Sequence, residues 1–209
     1  MQNKERIKEA LLSTEREGIK ALLNWMDENG FYDCPCSGGN HLAVEGGLAE
    51  HSLNVYGVMQ DMSFLLSSGP EPLPKEMQDA IIIGSLLHDL GKTGDYGKPG
   101  YVPNMIKDGR PTKAEPEQKY KQSPNKPFAV NPGLFPVPHE VRSVKIASQF
   151  IKLTEEEELA ILWHNGLYGD YRYTIQGKET PLYLLLHFAD MWASRIMEKR
   201  QEEENGECD

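Results

Sequence analysis

The segment from Ala80 to Leu87 reads Ala-Ile-Ile-Ile-Gly-Ser-Leu-Leu, and a helix that is apolar on nearly every side belongs inside a protein. It runs directly into His88-Asp89-Leu90-Gly91-Lys92. An imidazole, a carboxylate and an ammonium group make a costly end for a core helix, because a desolvated carboxylate needs a cation or a hydrogen-bond network to offset its lost hydration. A metal ion held between His88 and Asp89 would meet the needs of both side chains. Any fold for this chain must therefore set a polar, cation-seeking junction against its own core.

Two other segments put one potential ligand on an apolar helical pattern: GGLAEHSLNV, residues 46–55, with His51, and FADMWA, residues 188–193, with Asp190. Ile7, Leu11, Leu12, Ile19, Leu22, Leu23 and Met26 predict one or two helices over 3–29, broken or kinked at Gly18. Further helices are predicted over 48–66, 75–90 and 138–151. Another follows a capping-box signature at Thr154-Glu155-Glu156-Glu157, and the last opens at Pro181. His139 and His164 fall at helix ends. The turn-rich stretch from Phe31 to Asn40 reads as an ordered loop feeding the helix of His51, with His41 in a structural or supporting place. Residues 93–137 are proline-rich and lack helical period. They read as a lid or substrate loop, with Tyr101-Val102 and Pro127 to Val130 as strands of a hairpin. A second loop, 165–180, carries Tyr168, Tyr171 and Tyr173.

The chain has 209 residues, enough for one domain with a substantial core. No apolar run reaches the roughly 20 residues that span a bilayer, and the first residues lead into no signal-peptide core, so a cytoplasmic protein without membrane contact is expected. Cys34, Cys36 and Cys208 form no pair of Cys-x-x-Cys motifs and read as reduced thiols. A net charge of −10 argues against a surface for long duplex nucleic acid. Lys98, Lys107, Arg110, Lys113, Lys119, Lys121 and Lys126 nevertheless face only Asp108, Glu115 and Glu117 in the same loop, which suits a small anion or a short strand.

The order His51, His88-Asp89, Asp190 resembles the HD superfamily of metal-dependent phosphohydrolases. With His139 and His164 added, it is similar to the branch of that superfamily that holds two metals. The resemblance implies one ion on His51, His88 and Asp190 and another on His139 and His164, with Asp89 bridging them. Mixed imidazole and carboxylate ligation suits manganese, iron, cobalt or nickel, with magnesium admissible. Two such ions, about 3.5–4 Å apart, acidify a bridging water and offset charge on phosphate and leaving oxygens. Lys92, as the lysine of the His-Asp-x-Gly-Lys pattern, is implied to assist catalysis with Asp89 and to meet the phosphate. His187, one turn before Asp190, and Tyr168, which could stack on a base, are further candidates for substrate contact.

The runs GNHLAVEGGLAEHSLNV, LLHDLGK, PHEVRS, WHNG and LHFAD are also similar in order and spacing to the HD domain of bacterial 3′ to 5′ exoribonucleases of the YhaM type. Those nucleases carry an OB domain ahead of the HD domain, whereas here a helical pattern precedes the matching runs. Processive attack on long RNA is accordingly not expected. The expected fold is all-α: an HD-domain helical bundle over 38–200, an N-terminal helical segment over 1–37 packed on it, and an acidic tail over 201–209. The expected function is a phosphodiesterase acting on a nucleotide, cyclic nucleotide or short oligonucleotide. The alternative is a nucleotide-binding sensor without catalysis on the same scaffold.

Overall fold

A computed structural model describes residues 2–67, 69, 71–111, 113, 116–169 and 172–199. The protein is mostly helical. Helices α1 (Gln2–Ser13) and α2 (Ile19–Glu28) are separated at Gly18, whose φ of 84° is open to glycine. A Cβ there would lie 1.8 Å from the Phe150 carbonyl oxygen, so the break is also a packing contact. Helices α3 (Gly47–Asp61) and α4 (Lys75–Leu87) follow and pack on each other. After the loop region come α5 (His139–Ser148), α6 (Glu155–Trp163), the single turn α7 (Arg172–Ile175) and α8 (Pro181–Trp192).

Two apolar clusters fill the interior. Ile7, Leu11, Leu22 and Met26 of the first two helices share one with Leu48, Ile83, Leu86 and Ile146. Val55, Met59 and Ile81 share the other with Leu182, Leu186 and Ala189 of α8. Helix α4 touches both, as an element apolar on all sides should. The N-terminal helices are further tied down by Arg16, which donates two hydrogen bonds, at 2.6 and 2.8 Å, to the buried carboxylate of Glu157. Glu157 also completes the capping box with Thr154 at the start of α6, an arrangement worth about 1 kcal/mol.

The region 93–137 is not structureless. Strand β1 (Gly94–Asp95) pairs with β2 (Lys98–Pro99), and β3 (Tyr101–Pro103) pairs antiparallel with β6 (Phe128–Val130), Tyr101 facing Val130. Between them, β4 (Met105–Asp108) and β5 (Lys119–Gln122) form an exposed hairpin that periodicity did not predict, because neither strand buries a face. Among the described residues no helix is long and apolar enough to cross a membrane. The predicted tail 201–209 and Tyr171 lie outside the described residues.

Candidate metal centre

Helix α4 ends at Leu87, earlier than the predicted Leu90, and His88 is its C-cap. The ring folds back on the helix, and Nδ1–H donates to the Ser85 carbonyl at 2.8 Å. His164 repeats this at the end of α6, donating from Nδ1 to Ile161 O at 2.7 Å. The other two histidines sit in the early turns of helices and use carboxylates instead. His51 in α3 donates from Nδ1 to Glu198 Oε1 at 2.8 Å, and Nδ1 of His139, the first residue of α5, lies 3.3 Å from Glu140 Oε2. Engaging Nδ1 as a donor leaves the Nε2 lone pair of His51, His88 and His164 exposed for a ligand role.

Those Nε2 atoms meet in two pairs. His51 and His88 approach to 3.3 Å, and so do His139 and His164. Two lone-pair nitrogens at that distance repel unless a proton or cation lies between them. Asp89 stands between the pairs. Its Oδ2 lies 3.6 Å from His51 Nε2 and 3.4 Å from His88 Nε2, and its Oδ1 lies 3.1 Å from His139 Nε2 and 3.6 Å from His164 Nε2. Asp190 of α8 adds Oδ1 at 3.2 Å from His51 Nε2. The six residues predicted as ligands therefore converge, with one carboxylate oxygen of Asp89 turned to each pair.

Local packing explains the convergence. Residues 90–93 form a 3₁₀ turn after Asp89, and Gly91 lies under α5 so closely that a Cβ would fall 2.1 Å from His139 O. Ser143 locks the contact, accepting from Gly91 N at 2.8 Å and donating to His139 O at 2.9 Å. A larger residue at 91 would push His139 away from Asp89. Gly91 is thus a spacer between two candidate ligands.

The residues present fit divalent ions. Oδ1 of Asp89 is buried and has no hydrogen-bond partner among the described residues, although its carboxyl is ionised. Burial alone would raise the Asp89 carboxyl, but Lys92 and His88 outweigh it and hold the group well below the usual carboxylate range. Asp190 is lowered in the same way, burial being outweighed by the hydrogen bond to His51. Burial pushes His164 down to about 3, so its ring is neutral. His51 is raised well above 6.5, because Cys36, Asp190 and Glu198 outweigh its burial. A proton on His51 therefore stands where a cation would bring the same charge. Imidazole nitrogen with carboxylate oxygen suits transition-metal ions, and these side chains could hold them.

Lys92 Nζ is 2.6 Å from Asp89 Oδ2 and lines a cleft of about 490 Å³ that opens at His139. Tyr101, Arg142, Asn165 and Tyr168 share its walls. The Tyr168 ring is largely exposed, with Arg195 stacked over it at 4.5 Å. His187 is absent from those walls. It is buried, and its Nδ1 donates to His164 O at 2.7 Å, so it props the metal-site backbone from behind.

Glu198 is the residue that sequence reasoning missed. In a regular helix, eight residues overshoot two turns by about 80°, which sets position 198 aside from Asp190. A π-helical turn at Ala193–Met197 takes up the overshoot and brings both carboxylates to His51. The chain matches no family profile, no curated protein and no solved structure.

Proposed function

We propose that the protein is a metal-dependent phosphohydrolase with an HD-type helical core, acting as a phosphodiesterase on a nucleotide, a cyclic nucleotide or a short oligonucleotide. The observation that carries this reading is Asp89, which offers one oxygen to each of two facing histidine pairs. His51, His88 and Asp190 would hold one ion and His139 and His164 the other. When bound, the two ions would supply the Lewis acidity that hydrolysis of a phosphoester needs.

The protein's own part is to present and orient the ester. His139 stands where the buried centre meets the cleft, so phosphate would enter from that side. Lys92 and Arg142 bring positive charge to the walls, which favours an anion on an otherwise acidic chain. Lys92, bonded to Asp89, keeps that carboxylate ionised and would meet a phosphate oxygen. The open face of Tyr168 offers a platform for a base, worth about 1–3 kcal/mol if one stacks there.

The test is turnover by protein loaded with manganese. Bis-p-nitrophenyl phosphate comes first, then cyclic dinucleotides, short RNA, short DNA and mononucleotides, each read by product identity. Release of a nucleotide product from a diester supports the proposal. Tight binding without turnover across the panel would replace it with the sensor reading.

A further inference from the structure

Beside the two histidine pairs lie polar side chains to which the proposed phosphodiesterase reading assigns no ion. Cys36, in the loop leading to α3, is fully buried, with its sulfur 3.3 Å from His41 Nε2. The same Nε2 lies 3.7 Å from Glu198 Oε2. That oxygen is buried and has no hydrogen-bond partner among the described residues, whereas the other oxygen of the carboxylate bonds His51. An ionic oxygen that has lost its hydration and gained no donor calls for a cation. One potential ligand atom from each of Cys36, His41 and His51 also falls within a 4.8 Å cluster.

We propose that Cys36, His41 and Glu198 hold a further divalent cation, thiophilic and best satisfied by zinc, separate from the two ions of the histidine pairs. Tetrahedral zinc, with sulfur at about 2.3 Å and nitrogen or oxygen at about 2.0 Å, sets ligand-to-ligand edges of about 3.3–3.6 Å. The two distances from His41 Nε2 match those edges to within a few tenths of an ångström. Thiolate and carboxylate together neutralise a divalent charge. On binding, the S–H bond of Cys36 breaks as the sulfur–metal bond forms, and the proton leaves to solvent. His41 contributes a neutral nitrogen.

The site joins parts of the chain far apart in sequence: the loop before α3 and the end of the last helix. It acts as a clamp between them. Glu198 would touch this ion through Oε2 and His51 through Oε1, so occupancy here tunes how strongly His51 holds its own metal.

The competing account is plain hydrogen bonding of the Cys36 sulfur with His41 Nε2 and with Lys92 Nζ, which donates to it at 3.8 Å, and this needs no ion. Cobalt(II) titration of the full chain separates the two, read by its absorption spectrum and by metal content. A Cys34→Ser/Cys208→Ser double variant leaves Cys36 as the only thiol. The proposal expects this variant to show a near-ultraviolet thiolate-to-cobalt band, and expects Cys36→Ser to lose the band together with about one ion per chain. His41→Gln should weaken the band, and it decides the matter if Cys36→Ser does not fold. Cobalt uptake without the band, or full metal content in Cys36→Ser, overturns the clamp. Either result leaves the histidine pairs untouched, because none of their ligands is sulfur. Failure of hydrolysis with the band present counts only against the phosphodiesterase reading.

Discussion

The two halves of the candidate metal centre follow one building rule and differ in access. Each combines a helix-end histidine braced on the carbonyl three residues back, His88 or His164, with a histidine from the early turns of another helix, His51 or His139. The His51 half is closed. Its ring is 0% exposed, Glu198 backs it at 2.8 Å, and Asp190 supplies a second carboxylate. The His139 half is open, with 31% of that side chain accessible, a looser 3.3 Å contact to Glu140, and the cleft at its edge. The closed half would suit firm retention of an ion, and the open half exchange of ligands.

The severest way to break this comparison is Asp89→Ala, because that carboxylate belongs to both halves. Turnover should vanish and both ions should be lost from purified protein by metal analysis; hydrolysis that survives would contradict a shared centre. Lys92→Ala should spare metal content and lower turnover by about 10²–10³-fold, the scale for losing one charge-stabilising donor. Metal loss on that substitution would instead make Lys92 part of the ligand framework. Glu198→Gln should weaken the ion of His51, His88 and Asp190 by about 10- to 100-fold and leave that of His139 and His164 nearly unchanged, a split that calorimetric titration resolves. Equal weakening of both ions would erase the distinction between halves.

The smallest expected effect is on stability against pH in chelator-treated protein. His164, depressed to about 3, binds fewer protons folded than unfolded below pH 6.5. Its contribution to stability is therefore complete above pH 6.5 and is lost as pH falls toward 3. His51, raised well above 6.5, has the opposite sign. Its contribution is complete below pH 6.5 and is lost as pH rises through its folded value. His164→Gln should flatten the acid side of the melting-temperature profile, and His51→Gln the alkaline side. If both variants flatten the same side, the electrostatic difference between the halves is wrong.

Much of this arrangement was legible in the chain itself. An all-apolar run ending in His88-Asp89 announced a buried helix with a polar junction, and Thr154 with Glu157 announced a helix start that the structure reproduces bond for bond. The pairing of β3 with β6 also followed from local composition. The β4–β5 hairpin did not, because its strands are exposed on both faces and carry no alternation. Glu198 escaped because helical spacing assumes 3.6 residues per turn and the π-helical turn does not. His187 lies at a spacing that suits the cavity, yet its ring is taken by a backbone carbonyl from another helix end.

By itself, then, the sequence determined the longer helices, though not the single turn at Arg172–Ile175, and which residue types gather at their ends, since both depend on neighbours a few positions away. Only the tertiary structure decided that His51 meets Glu198, that Asp89 divides its oxygens between two histidine pairs, and that Cys36 reaches His41 beside an unpartnered carboxylate oxygen. The physical reason is that ligand geometry is set by how helices pack across a shared core, at Gly91 under α5 and at the π-helical turn of the last helix. Those contacts join residues far apart in the chain, where no local pattern records them.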